Sequence, residues 1–254
     1  MAELTEQEVR RYQAQILLPG MGRKGQKKLK AGRALIIGAG GLGTPVMQYL
    51  TAAGIGHLGI VDDDMVDIPD LQRQVLYGIN DVGKLKTVVA RERLRRQNQA
   101  VSFEIYNLRL SEGNILSIIE GYDLVIDGSN NFETRYLIDD ACLARDKTWI
   151  FGAIHQFEGQ VTVLNYKEGP TLRCMFPDPP LTGEIQPSRY QAGILGALPG
   201  IIGCYQAMEA IKIMTGLQGV LSGKLLTINV LENTQKLKSF SRKSGKPEGR
   251  MFSD

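Results

Sequence analysis

The residues of this chain best suited to chemistry are of the kinds that handle phosphate. Gly38-Ala39-Gly40-Gly41-Leu42-Gly43 follows an apolar run and precedes a helical pattern. Glycines let the backbone turn sharply and approach a phosphate, and a helix starting there presents free N–H groups and a partial positive charge. Roughly twenty residues on, a second apolar run ends in Asp62-Asp63-Asp64, where a carboxylate can accept hydrogen bonds from ribose hydroxyls. Downstream stand Arg73, between Gln72 and Gln74, and Lys86, close after Gly83. Arginine grips phosphate oxygens through a planar fork, and lysine supplies a compact charge. Held in place beforehand, such cations stabilise charge that develops in a transition state. The glycine pattern alone suits a nicotinamide dinucleotide as well as ATP. Nothing downstream resembles a hydride-transfer site, and a nicotinamide cofactor would leave the two cations unexplained.

Elements that could position these residues are readable as alternating runs. Ala34–Ile37, His57–Val61 and 123–126 are apolar stretches of the kind buried in parallel sheets, and Trp149-Ile150-Phe151 is a shorter one. Helical patterns fall between them, over 44–53, 84–98 and 132–145. Strands alternating with helices predict an α/β fold, a Rossmann-like and mostly parallel sheet with helices on both faces. The second half differs. Residues 159–164 alternate like a half-exposed strand, with 224–231 as an antiparallel partner, so the sheet is extended by an antiparallel C-terminal part. A polar, proline-containing loop runs from about residue 167 to 190, and a long apolar helix follows over 198–215.

Composition sets bounds. The chain has 254 residues, 43% hydrophobic and 22% charged, ordinary for a globular protein. A net charge of +3, much of it near the C-terminus, does not predict a nucleic-acid partner. No run approaches the ~20 apolar residues of a membrane span, which predicts no membrane partner. The opening Met1-Ala2-Glu3-Leu4-Thr5-Glu6 is unlike a signal peptide. Cys142, Cys174 and Cys204 are widely spaced and form no metal-ligand pattern, so the expectation is a cytoplasmic, reduced protein.

Taken with Arg11-Tyr12, Leu71-Gln72-Arg73-Gln74, Val82-Gly83-Lys84-Leu85-Lys86, Asp127-Gly128-Ser129 with Asn131 and Arg135, Phe157-Glu158-Gly159-Gln160 and Leu198-Pro199-Gly200, the glycine loop resembles that of the MoeB/ThiF/HesA adenylyltransferases. These are bacterial relatives of the ubiquitin-activating enzymes, and the resemblance covers nearly the whole chain. It implies one ThiF-like adenylation domain over residues 1–235, with a Rossmann-like core at about 30–155, and a basic flexible tail over 236–254. It implies that ATP is bound with Mg2+, that Asp62 holds the ribose and that Gly41 packs against the nucleotide. Arg73 and Lys86 become the catalytic phosphate contacts. Gly38, Gly40, Leu42, Gly43, Asp64, Gln74, Asp127, Asn130 and Asn131 complete the nucleotide site. The implied reaction converts a carboxylate to an acyl-adenylate and releases pyrophosphate. The implied substrate is the C-terminal glycine of a ubiquitin-like sulfur carrier, or a small-molecule or peptide carboxylate. A homodimer is implied too, with the helix over 201–214 as a candidate interface.

The sequence departs from that family in several places. Ala14 stands where relatives carry an arginine that reaches the partner subunit's ATP, a loss of about 1.5–3 kcal/mol of phosphate binding. Asn130 replaces a magnesium-binding aspartate, which leaves the coordination open, with Asp127 as one substitute. The paired zinc cysteines reduce to Cys174, in Thr171-Leu172-Arg173-Cys174, so no zinc is expected. Arg189 occupies the place of the loop cysteine, and Cys174 reads as a buried thiol beside Phe176, with Cys142 and Cys204 as core. Pro69-Asp70 replaces Ser-Asn. A carboxylate at Asp70 would repel a triphosphate unless it recruits the metal displaced from Asn130. Ala14 and Asn130 together motivate an alternative, a degenerate member that binds nucleotide or partner without turnover. His57 reads as structural, and His155 faces the region where relatives bind substrate.

Overall fold

The computed structural model describes residues 3–177 and 193–242. Strands β1 (Arg33–Ile37), β2 (His57–Val61), β3 (Ser102–Tyr106), β4 (Leu124–Asp127) and β5 (Thr148–His155) run parallel. Strands β6 (Glu158–Leu164), β7 (Lys224–Asn229) and β8 (Thr234–Ser239) continue the sheet antiparallel. The order across the eight-stranded sheet is β3-β2-β1-β4-β5-β6-β7-β8. The expected architecture is therefore the one observed. β6 and β7 pair as expected, with Val161 opposite Leu226.

Alternation within the strands sorts side chains to two faces. Ala34 and Ile36 of β1, with Leu58, Ile60 and Ile126, face helix α4 (Gly43–Ala53) through Val46, Met47 and Leu50. Leu198 and Ile202 belong to the same cluster and lie on the long helix Ala197–Thr215. Leu35 and Ile37, with Val125 and Trp149, face the other way. They meet helices Ile115–Glu120 and Phe132–Ala144 through Ile115, Ile119, Leu137 and Ile138. Each such side chain, fully buried, contributes roughly 1.5–3 kcal/mol. In chain order the helices are α1 (Glu6–Arg11), α2 (Gln13–Ile16), α3 (Gly22–Ala31), α4, α5 (Lys86–Gln97), α6 (Ile115–Glu120), α7 (Phe132–Ala144), α8 (Leu172–Met175) and α9 (Ala197–Thr215). Among the described residues no helix is long and apolar enough to cross a membrane.

Several elements differ from the sequence reading. β5 extends four residues beyond Phe151 because Gly152 to His155 find antiparallel partners on β6. α5 starts at Lys86 rather than residue 84. Leu85 is extended and bridges Met65, and Lys84 accepts the Val66 N–H, which pins the approach to the helix. β3 has a mixed burial pattern and was not anticipated, although Phe103 and Ile105 pack onto the core. β8 includes Lys236, Leu237 and Lys238, which the sequence reading places in the tail. Every residue of that strand is exposed, so no apolar alternation marks it, and it is held by its backbone ladder to β7. The tail residues 243–254 lie outside the described residues.

β1 has β2 on one side and β4 on the other, so the connections diverge to opposite sides at this point. The crevice at the carboxyl ends of β1 and β4 is where open sheets of this kind take their ligands.

Candidate functional site

A cleft of about 630 Å³ opens at that crevice. Its floor is the glycine loop between β1 and α4. Gly38 has φ +96°, a conformation glycine adopts freely, and a Cβ there would fall 2.7 Å from the Gly128 carbonyl oxygen. The loops after β1 and β4 therefore touch. Gly43 opens α4 so close to the loop that a Cβ would lie 1.9 Å from the Gly38 carbonyl. Gly41 packs against Pro199 of α9. Gly38, Gly40, Gly41 and Leu42 line the cleft, whereas Gly43 serves the close packing beneath it.

Asp62 and Asp64 follow β2 and stand at one wall. The Ala39 N–H donates to Asp62 Oδ2 at 2.6 Å, and the Asp64 N–H donates to Oδ1 at 2.8 Å. Burial raises the Asp62 pKa, while those two N–H groups and the Lys86 charge pull against the shift. Each carboxylate oxygen keeps a lone pair for a ribose hydroxyl. The Tyr77 hydroxyl donates to the Ala39 carbonyl at 2.8 Å and fixes the loop from below. Burial, then the charges of Asp62 and Asp70, pushes that phenol up, so it stays protonated and donating.

Arg73 and Lys86 line the same cleft, and both are nearly enclosed, at 7% and 2% exposure. Arg73 Nη2 lies 2.9 Å from Asp70 Oδ1, and Lys86 Nζ lies 3.1 Å from Asp70 Oδ2 and 3.0 Å from Asp64 Oδ2. This corrects the expectation for Asp70. It is buried at 4% exposure with an oxygen committed to each cation, and it neither faces a triphosphate directly nor is free to recruit a metal.

The opposite wall is the turn after β4 and the start of α7. Gly128, Ser129, Asn130, Asn131, Thr134 and Arg135 line it. Asp127 does not line the cleft. It is fully buried beneath, where it accepts the Ser129 N–H at 2.8 Å and pairs with Arg135 Nε at 3.2 Å. Burial raises its pKa despite the Arg135 charge. Asn131 caps α7, its Oδ1 accepting the Thr134 N–H at 2.8 Å. Gln74 is also fully buried and is not among the cleft-lining residues. Asp127 and Gln74 thus support the site from behind.

The remaining wall comes from Leu108, Arg109 and Leu110 after β3, and from Ile154, His155, Gln156, Gly193 and Ile194. Sequence reading missed the first three, because β3 was not recognised and the rule that strand ends build the crevice could not be applied to it. Arg135 was noted only as part of a motif, yet it braces the site, reaching the Gly152 carbonyl at 3.0 Å. The carboxylate oxygens of Asp62, Asp63 and Asp64 lie within 4.8 Å of one another, and these are the acidic groups here that could meet a hard cation.

The cysteines are placed away from this geometry. Cys142 is fully buried, which pushes its thiol up. Cys174 and Cys204 are only partly buried, so neither is the enclosed core residue expected, and Cys174 Sγ lies 3.7 Å from the Thr171 hydroxyl. Arg189 lies outside the described residues.

The model of the ThiF family matches residues 12–249. A sulfur carrier protein adenylyltransferase of Thermus thermophilus is 46% identical over 233 residues, 90% of this chain and 86% of that protein. An adenylyltransferase and sulfurtransferase MOCS3 of Xenopus laevis is 44% identical over 229 residues, 90% of this chain, which spans only 51% of that longer protein. Among solved structures, Escherichia coli MccB superposes with a TM-score of 0.83 at 20% identity, covering 99% of this chain and 75% of that one.

Proposed function

The chain belongs to the ThiF family, and we infer that it is an adenylyltransferase that uses ATP to activate a carboxylate as an acyl-adenylate with release of pyrophosphate. The observation that carries this reading is that Arg73 and Lys86 line the same cleft as Gly38, Gly40, Gly41 and Asp62. Ribose at Asp62 and phosphates over the glycine loop would bring the triphosphate to both cations. The incoming carboxylate oxygen attacks the α-phosphorus, and the bond to the β-phosphate oxygen breaks with its electron pair leaving on pyrophosphate. An ionised carboxylate needs no general base. Its delivery to a fixed distance and the cancellation of charge supply the acceleration.

Mg2+ fits as the companion of ATP, shielding the phosphates. Asp62, Asp63 and Asp64 offer carboxylate oxygens at the cleft and Asn130 an amide oxygen, the hard donors this ion takes. No zinc is proposed, since the three cysteines of the sequence include one sealed in the core. The acceptor we propose is the C-terminal glycine of a ubiquitin-like sulfur carrier, entering along Ile154, His155, Gln156 and Ile194, with small or peptide carboxylates as the alternative class. The chain spans about half of the MOCS3 protein, and any sulfur step would be supplied by another component. A homodimer is proposed on the apolar face that α4 and α9 leave exposed through Tyr49, Ile201 and Met208. Its setting would be the cytoplasm.

Magnesium-dependent ATP–pyrophosphate exchange, run with a panel of Gly-Gly-ending carriers and small carboxylic acids, tests the reading. Exchange that disappears in Arg73→Ala is expected and names the acceptor. Exchange only after Ala14→Arg with Asn130→Asp would mean that the fold binds its ligands without turnover.

A further inference from the structure

Among the described residues, Asp70 is the one acidic side chain in contact with both cations of the proposed phosphate subsite. It ends a short 3-10 turn, Ile68–Asp70, in which Pro69 restrains the backbone and Asp67 caps the start. The Asp70 carbonyl accepts the N–H groups of Arg73 at 3.0 Å and Gln74 at 2.9 Å. That tight turn sets the Arg73 guanidinium beside the Asp70 carboxylate. Lys86 arrives from the far side as the first residue of α5, its own N–H donating to the Asp64 carbonyl at 3.1 Å. The result is a chain of alternating charge, Arg73, Asp70, Lys86, Asp64, with two positive and two negative groups and no net charge.

We propose that Asp70 is a positioning residue that holds Arg73 and Lys86 side by side and, by cancelling part of their charge, limits how tightly the site retains pyrophosphate. The proposal rests on the reading that these two cations meet the triphosphate. Two cations enclosed this fully would repel each other and pay for lost hydration without a shared counter-ion. The hydrogen-bond count leaves room for a substrate. Lys86 has three N–H donors and uses two on carboxylates. Arg73 has five and uses one on the Pro69 carbonyl and one on Asp70. Each therefore keeps donors for phosphate oxygens without releasing Asp70. When the bond at the α-phosphorus breaks, the pyrophosphate carries away the electron pair and its charge is greatest at these cations. A carboxylate directly behind them lowers the affinity for that product.

The test compares wild type, Asp70→Asn, Asp70→Ser and Arg73→Ala with inorganic pyrophosphate and MgATP as the probes. Asp70→Asn keeps the shape and removes the charge. It is expected to lower the inhibition constant for pyrophosphate and the KM for ATP by about tenfold, the effect of a unit charge roughly 6 Å away at an effective dielectric of about 40. kcat should fall as pyrophosphate leaves more slowly. A merely structural role would instead raise KM. Unchanged or weaker pyrophosphate binding in an Asp70→Asn protein that melts like wild type overturns the proposal. If that variant does not fold, Asp70→Ser carries the test. It removes the same charge shared by Arg73 and Lys86 and should again tighten pyrophosphate, and no change there overturns the proposal. Arg73→Ala separates the two ideas: if ATP and pyrophosphate binding survive it intact, the phosphate reading itself fails.

Discussion

At the scale of single residues, the site is a set of charges that have been paired before any ligand arrives. Asp127 shows the consequence. Buried against Arg135 and the Ser129 N–H, it acts on the cleft only through the turn it holds. Asp127→Ala would strand the Arg135 guanidinium, and a loss of about 3–5 kcal/mol in urea unfolding is expected. A drop in ATP affinity with unaltered stability would show instead that Asp127 touches the nucleotide. On the role proposed for it, Arg73→Ala removes a phosphate contact, and kcat in the exchange assay should fall roughly 100- to 1,000-fold. These residues were legible in sequence to different degrees. The glycine loop and Asp62 were readable from their strand–turn–helix spacing, and Arg73 and Lys86 from the motifs that carry the family resemblance. That Asp127 and Gln74 lie behind the cleft was not legible, since a supporting and a contacting side chain satisfy the same motif. Nor was the role of Asp70, which depends on where Lys86 arrives, sixteen residues later in sequence.

At the scale of elements, close approach and shared hydrogen bonds do the positioning. Gly43 lets α4 begin directly against the glycine loop. Gly43→Ala forces loop and helix apart, with an expected loss of about 1–3 kcal/mol by denaturant titration and weakened ATP binding. Elsewhere, Asp139 of α7 ties two neighbours together, accepting the Trp149 indole N–H from β5 at 3.1 Å and the Leu172 N–H of α8 at 3.0 Å. Burial, opposed by those two donors, raises its pKa to about 6 from 3.8. The folded protein therefore takes up this proton before the unfolded chain does. Stability from this group rises as pH falls from about 6 towards 3.8, and at neutral pH the ionised form costs on the order of 3 kcal/mol. Unfolding free energies measured at pH 7 and pH 5 should shift in favour of wild type relative to Asp139→Asn on acidification. Equal shifts in the two proteins would remove Asp139 from the account. Elements whose strands are buried on both faces were readable as apolar runs. The half-buried β3, with no clean apolar alternation, and the exposed β8, held by its neighbour's backbone, were not.

For the molecule as a whole, the proposed dimer gives a direct expectation. Light scattering should return twice the 28.0 kDa chain mass, and Tyr49→Lys with Met208→Lys should reduce it to one. A wild-type monomer would leave those apolar side chains without the role assigned to them. The far end of the sheet poses the opposite problem. Among the described residues, β8 has a strand on one side only, so its outer row of backbone donors and acceptors is a template on which a strand from another molecule could add and fibrous growth could begin. Lys236 and Lys238 lie on that strand and are exposed to solvent. An approaching strand would have to strip water from these ammonium groups and meet them with its own charges. The basic edge thus opposes strand addition at this end of the sheet, whereas the apolar face proposed for the dimer is left open to a partner.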